Sequence, residues 1–264
     1  METVIAPFAK TSSQITEPTL QTMLLAECQY LSQSLANCLV MVRQLYPLVS
    51  ADVALFSVTD DRLQVLLVRR EQEPAAGLWA LPGAILQPQG DADLEVTARR
   101  ALREKISVEV PYLAQLRTFA GAARDPRGWS LSVLHCALLP RDQVQAVVRS
   151  SVDRVQWCDA DAPGERLAFD HAQQILWART ALRQRIQDHA LPLHLMPERF
   201  TLTQLQRVCE AILSPGPAQR FRLDKGAFRR RFAKSPDIVE VPGAFEHGAQ
   251  RPAQLFQVAP GFRF

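Results

Sequence analysis

The stretch from residue 81 to 110, LPGAILQPQGDADLEVTARRALREKISVEV, constrains the chain more than any other. Its Pro-Gly pair predicts a tight loop. An amphipathic helix is predicted next, because Leu94, Ala98 and Leu102 fall at four-residue steps, as one buried stripe requires. Three acids, Asp91, Asp93 and Glu95, stand at the entrance to that helix. They are read as N-terminal acids favoured by the helix dipole, with a displaced metal site as the other possibility.

Residues 1–16 are mostly small or polar, lack a period and are expected to be disordered. From Pro18, the residues Leu20, Leu24, Leu31, Leu35, Leu39, Val42 and Leu45 give a single apolar helical face up to Tyr46. Its only charges are Glu27 and Arg43, so this helix must pack on the next domain or on a second subunit. Pro47 ends it. Residues 53–58 and 63–69 read as strands of a hairpin around Thr59, Asp60 and Asp61. A loop over 71–77 leads to residues 78–85. Further strands are expected at 112–119, at 129–138 and within 151–160, and a long helix over 168–189 with Ile175, Leu182 and Ile186 on one side. Strands mixed with two helices, without regular alternation, predict an α/β sandwich about a mixed sheet.

The net charge of +3 becomes informative once it is divided. Residues 196–264 hold 11 Lys and Arg against 6 Asp and Glu, so the basic character is local and points to a polyanion-binding module. After a linker over 192–197, Thr201 and Gln204 form a capping box, and Leu202, Leu205, Val208 and Ile212 mark a buried helical face. Asp224 is an N-cap for a helix over 225–234, where Phe228 and Phe232 plug a small core. Lys225, Arg229, Arg230 and Arg231 are left for contact. Residues 238–241, a Pro242-Gly243 turn, a loop to Gly248 and residues 251–256 read as a wing, with Arg251 near its base. Helix, turn, basic helix and wing make a DNA-binding order.

With 264 residues and 47% hydrophobic content, the chain can hold one domain of ordinary size and a smaller one. Its five cysteines, Cys28, Cys38, Cys136, Cys158 and Cys209, are widely spaced and unpaired in pattern, which suits a reducing cytoplasm. No apolar stretch reaches the ~18 residues of a membrane span, and no export signal is read.

Residues 81–110 resemble a Nudix box, a glycine followed by R-E-u-x-E-E-x-G-u, where u is bulky and apolar. The words GLWALPGA, YLAQLRTFAGAARDPRGWSLSVLHCALL, LAFDHAQQIL, FTLTQLQRVCEAIL, FRRRF and RPAQLFQV, in that order, resemble the Nudix-related transcriptional regulators called NrtR. The resemblance implies a Nudix-fold α/β/α sandwich with a mixed sheet over 51–190, then a small winged-helix domain over 196–264. Residues 1–50, a tail and the amphipathic helix, lie outside it. In hydrolases the box carboxylates at i, i+3 and i+4 share a helix face and hold a divalent cation against a pyrophosphate. Here Arg100 is kept, but those places are Ala101, Glu104 and Lys105, and Ser107 stands for the family glycine. One ligand is missing and another is a cation. The interval from Gly83 to Arg100 is also longer than in the hydrolases. No catalytic residue is therefore assigned, and no cofactor is required.

The resemblance further implies an ADP-ribose or related NAD-derived effector in a cleft lined by the box loop and the turn Arg124, Asp125, Pro126, Arg127. Suitable side chains are Arg69, Arg70 and Arg127 for phosphates and Trp79 for stacking, with Arg124 beside them. Each has a structural reading as well: strand-end charges for Arg69 and Arg70, core for Trp79, a local pair for Arg124 and Asp125. His135 reads as a core residue. The implied function is a cytoplasmic, nucleoid-bound homodimeric repressor, possible targets being NAD-metabolism genes, that partners duplex DNA and a nucleotide but no membrane. The alternative is a Mg²⁺-dependent pyrophosphohydrolase using Glu104 with Asp91, Asp93 or Glu95.

Overall fold

A strand that is apolar on both faces belongs at the centre of a sheet covered on both sides, and β1 (Leu48–Thr59) is such a strand. The computed structural model describes residues 25, 29–33, 46–144, 154–164, 166–186, 190–216, 219–247, 252–260 and 262. In it β1 pairs antiparallel with β2 (Arg62–Arg69) and parallel with β6 (Ser130–Leu138), which pairs in turn with β5 (Tyr112–Gly121). The short β3 (Trp79–Ala80) extends the β2 edge, β4 (Gly83–Ile85) pairs with β1, and β7 (Val155–Asp159) pairs with β2. The sheet is mixed, as expected. The predicted stretch 78–85 is two strands because Pro82 interrupts it, and each half finds a different partner.

Alternation along β1 sends Ala51, Val53 and Leu55 to one face, where α1 (Leu94–Ile106) covers them with Ala98, Leu102 and Ile106. Ala54 and Phe56 point to the other face, against Ile175, Ala178 and Leu182 of α2 (His171–Arg185). His135 is buried with Nδ1 3.1 Å from the Val133 carbonyl, and burial lowers its basicity. Burial also pushes the unpaired thiols of Cys136, Cys158 and Cys209 up to about 12, which makes them packing groups.

The predicted linker is a 3₁₀ helix, Leu191–Leu195, buried along most of its length. Leu191 and Leu195 join the α2-side core, while Leu193 joins a third core with Phe200, Leu205, Phe228, Phe232 and Phe256. This last core holds α3 (Leu202–Leu213), α4 (Lys225–Phe232) and the ribbon of β8 (Ile238–Glu246) and β9 (Ala253–Val258). One expectation is corrected here. Pro242 and Gly243 are not the wing's turn but a bulge inside β8, where the register shifts between Glu240 and Phe245. Gln254 fastens the bulge by donating to the Val241 and Ala244 carbonyls, so the ribbon continues to Glu246.

The chain divides into two compact units, Met1–Pro47 and Leu48–Phe264. In the first, residues 25 and 29–33 are helical. Residues 1–16 and the predicted stripe's Leu20, Leu24, Leu35, Leu39, Val42 and Leu45 lie outside the described residues.

Both ends of α1 are built locally. The Asp93 carboxylate accepts from the Val96 N–H, and Ser107 closes the other end in the left-handed region at φ 52°. A side chain there costs about 1 kcal/mol that glycine avoids. Ser107→Gly is accordingly expected to raise stability by about 1 kcal/mol in urea denaturation; no gain would show that Ser107 is not strained.

Candidate functional site

The face of α1 that the Nudix-box pattern would supply with metal ligands is organised around an ion pair. Arg100 donates to Asp91 with both Nε and Nη2, at 2.9 and 2.7 Å, and Nη2 also reaches the Ile85 carbonyl. Gln87 N–H and Thr97 Oγ1 donate to the same carboxylate. The Arg100 hydrogen bonds hold Asp91 well below the usual carboxylate range. Asp93 caps the helix and Glu95 pairs with Arg99, so all three entrance acids have structural partners. Ala101 is fully buried, whereas Glu104 and Lys105 are exposed. The residues present do not fit a Nudix metal centre: Ala101 offers no donor, Lys105 is a cation, and the described residues contain no group of three potential ligands.

A second polar centre lies on the opposite face of the sheet. Asp52 is the one acid in the central strand, and it is buried. Ser132 on β6 donates to it at 2.5 Å and Gln174 on α2 at 3.2 Å, while His171 Nε2 stands 3.5 Å away. Leu81 N–H donates to His171 Nδ1, and the other ring nitrogen, Nε2, faces the carboxylate. Burial opposes ionisation of Asp52, but His171, Ser132 and Gln174 outweigh it and bring the carboxyl down to about 2. The box loop closes against this centre. A Cβ on Gly83 would fall 2.2 Å from Asp52 Oδ1, so the loop can approach only as glycine.

The turn at 124–127 converges on the same centre. Arg124 makes a two-pronged pair with Asp170 at 2.9 and 3.1 Å, and stands 3.9 Å from Asp52. The pairing expected between Arg124 and Asp125 is corrected: Asp125 is taken by Arg127, at 2.7 and 3.0 Å. At the surface, the guanidinium of Arg70 lies 4.8 Å from the centroid of the Phe169 ring and that of Arg127 lies 6.0 Å from it. Phe169 itself has a φ of 54°, a conformation a bulky side chain rarely adopts. Burial and then the charge of Arg127 disfavour the protonated Arg70, so two like charges flank one aromatic ring. Of the other residues singled out, Arg69 is exposed with Nε on the Gly77 carbonyl, and Trp79 packs against the α2-side core while its carbonyl accepts from Ala168.

Sequence reasoning missed Asp52, Phe169, Asp170, His171 and Gln174. A usable signal existed: Asp52 is the lone charge within SADVALFSV, and His171 and Gln174 stand three apart on a helix face that is otherwise apolar.

The winged-helix part presents a different surface. Asp224 caps α4, Phe228 and Phe232 face the core with ring centroids 4.5 Å apart, and Lys225, Arg229, Arg230 and Arg231 are exposed. The approach of α4 to α3 rests on Glu210, which accepts from Gln206, Arg222 and the Leu223 N–H. Burial resists its charge, and these donors keep it ionised below the usual range. Arg251 lies outside the described residues.

Comparison with known proteins matches residues 49–178 to the NUDIX domain and residues 192–258 to the NrtR DNA-binding winged helix domain. A protein of Acinetobacter baylyi named "ADPR responsive transcriptional repressor NtrR" is 39% identical over 214 residues, covering 81% of this chain and 82% of its own. The crystal structure of Shewanella oneidensis NrtR complexed with a 27mer DNA is 36% identical with a TM-score of 0.71, covering 80% of this chain and 94% of that one. A second crystal structure of Shewanella oneidensis NrtR is 36% identical with a TM-score of 0.69, covering 81% of this chain and 94% of that one.

Ionised Asp52 stabilises the fold above its unfolded range near 4, and this contribution is lost as the pH falls through about 2. Asp52→Asn is expected to cost about 2 kcal/mol at neutral pH, with the gap to the wild type closing between about pH 4 and pH 2. Denaturant titrations across that range measure it; a gap independent of pH would place the cost in packing instead.

Proposed function

The chain belongs to the NrtR family, a Nudix domain joined to a DNA-binding winged helix, and on that premise we propose that it is a transcriptional repressor that binds duplex DNA and answers to ADP-ribose or a related nucleotide. The observation that carries this reading is how the charged residues are deployed. Acids near the box helix serve ion pairs and a cap, while arginines stand exposed on α4, backed by two buried phenylalanines.

In the proposed complex α4 enters the major groove, with Lys225, Arg229, Arg230 and Arg231 reaching phosphates and the acceptor edges of guanine, and Arg251 adding a contact from the wing. The protein acts on the nucleoid as a homodimer and reads a two-fold site in the control region of NAD-metabolism genes. The effector's diphosphate lies between Arg70 and Arg127, where a bridging anion relieves their mutual repulsion, and Phe169 lies under its rings or sugar. Arg124 is already committed to Asp170 and positions the turn from behind. Arg69 and Trp79 border the strand end that carries Arg70. Binding needs no metal, and turnover of ADP-ribose with Mg²⁺ at enzymatic speed would overturn the assignment in favour of hydrolysis.

Two measurements test the two halves separately. Arg230→Ala should weaken binding to a duplex selected by the protein from a random library by about tenfold, with a shallower salt dependence, in fluorescence anisotropy. Unchanged affinity in both Arg229→Ala and Arg230→Ala would remove α4 from the interface. Arg70→Ala combined with Arg127→Ala should lower ADP-ribose affinity by more than about tenfold in calorimetry while leaving effector-free DNA binding intact; equal affinity would place the diphosphate elsewhere.

A further inference from the structure

Helix α2 touches both halves of the molecule. At its start, Phe169 lies by Arg70 and Arg127, Asp170 holds Arg124, and His171 and Gln174 face Asp52. Twelve residues beyond His171, about 18 Å along the axis, the same helix presents Arg183. Its guanidinium joins two elements. Nη2 pairs with Asp161 at 2.8 Å, while Nε donates to the Ile212 carbonyl at 2.7 Å and Nη2 donates to that of Ser214. Ile212 and Ser214 form the C-terminal end of α3, whose last carbonyls have no partner inside the helix and are stabilised by a cation. Arg179 holds Asp161 from one turn earlier, at 2.8 Å. The one described ion pair joining the two parts, Arg220 with Asp61 at 3.4 Å, is solvent-exposed and correspondingly weak.

Two features of α2 are unfavourable in this arrangement. Phe169, at its entrance, is held in a left-handed conformation that costs a bulky residue strain. Along its buried side, Gln174 Oε1 and Arg179 Nε have no hydrogen-bond partner among the described residues, a state that buried polar atoms seldom tolerate. A diphosphate drawing Arg70 and Arg127 away from the Phe169 ring releases the restraint on that strained residue. The start of α2 can then shift, and a helix packed through Ile175, Ala178 and Leu182 moves as one body.

We propose that α2 is the element that couples effector occupancy to the winged helix, and that Arg183 is its output contact through the carbonyl end of α3. This rests on the functional reading above and adds the route by which the two sites communicate. Coupling of this kind is reciprocal: the factor by which ADP-ribose changes DNA affinity equals the factor by which DNA changes ADP-ribose affinity.

The test is a thermodynamic cycle on the full chain with ADP-ribose and the selected duplex, comparing wild type with Arg183→Met and Arg183→Lys. Lysine keeps the charge but not the fork that reaches Asp161 and both carbonyls together, and it preserves a folded comparison if methionine does not. Wild-type DNA affinity is expected to change by at least about fivefold on saturation with ADP-ribose, and that ratio to fall below about twofold in the variants, while ADP-ribose binding to DNA-free protein stays within about twofold of wild type. A responsive wild type with equally responsive variants overturns the coupling role alone. A wild type whose DNA affinity ignores ADP-ribose overturns the functional reading, and the coupling with it.

Discussion

The carboxylate of Asp52 is the interaction on which the Nudix half depends. A charge taken out of water in the central strand is tolerable only with donors on every side, and here they come from separate elements: Ser132 on β6, His171 and Gln174 on α2, and Arg124 from a turn at longer range. Those partners in turn fix what surrounds them. His171 pins the backbone at Leu81, Asp170 pins Arg124, and the absent side chain of Gly83 lets the box loop close over the carboxylate. The surface where Arg70, Phe169 and Arg127 meet is therefore positioned from below by a buried polar network rather than by the loop that carries it.

On the other face of the same sheet, α1 keeps the frame of a Nudix box while its side chains are committed to packing and ion pairs. The frame of the box helix still serves packing, since Leu102 and Ile106 lock it to β1. Arg100 closes on Asp91 from the preceding loop, and Ala101 is fully buried, where a carboxylate would be desolvated. A Nudix fold is thus no warrant for Nudix catalysis; the side chains on one helix face decide it.

The winged helix is joined to this scaffold by apolar and polar contacts of different character. Leu191, Leu195 and Ile212 enter the α2-side core, a non-directional attachment, whereas Arg183 bonds specific carbonyls and so is sensitive to angle. Glu210 performs a similar duty inside the module, setting the loop that delivers α4. The result is a cationic helix whose exposed side is held in place by buried groups facing away from it.

The helix ends and helix faces decided by neighbours within a few residues were legible in the chain. Asp93 and Asp224 cap their helices, Thr201 and Gln204 exchange both bonds of a capping box, and Phe228 and Phe232 fall inward because four residues make about one turn. The mixed sheet, its two covering helices and the basic module followed from periodicity and charge. Which arginine met which acid did not: Arg124 passes over the adjacent Asp125 for Asp170, 46 residues away, and Asp91 turns to Arg100. Nor did periodicity reveal Phe169 as the ring shared by Arg70 and Arg127, or Pro242 and Gly243 as a bulge rather than a turn. Capping and amphipathicity depend on backbone geometry that recurs in every helix, whereas a buried charge selects its partner by distance and desolvation, which exist only once distant strands have been brought together.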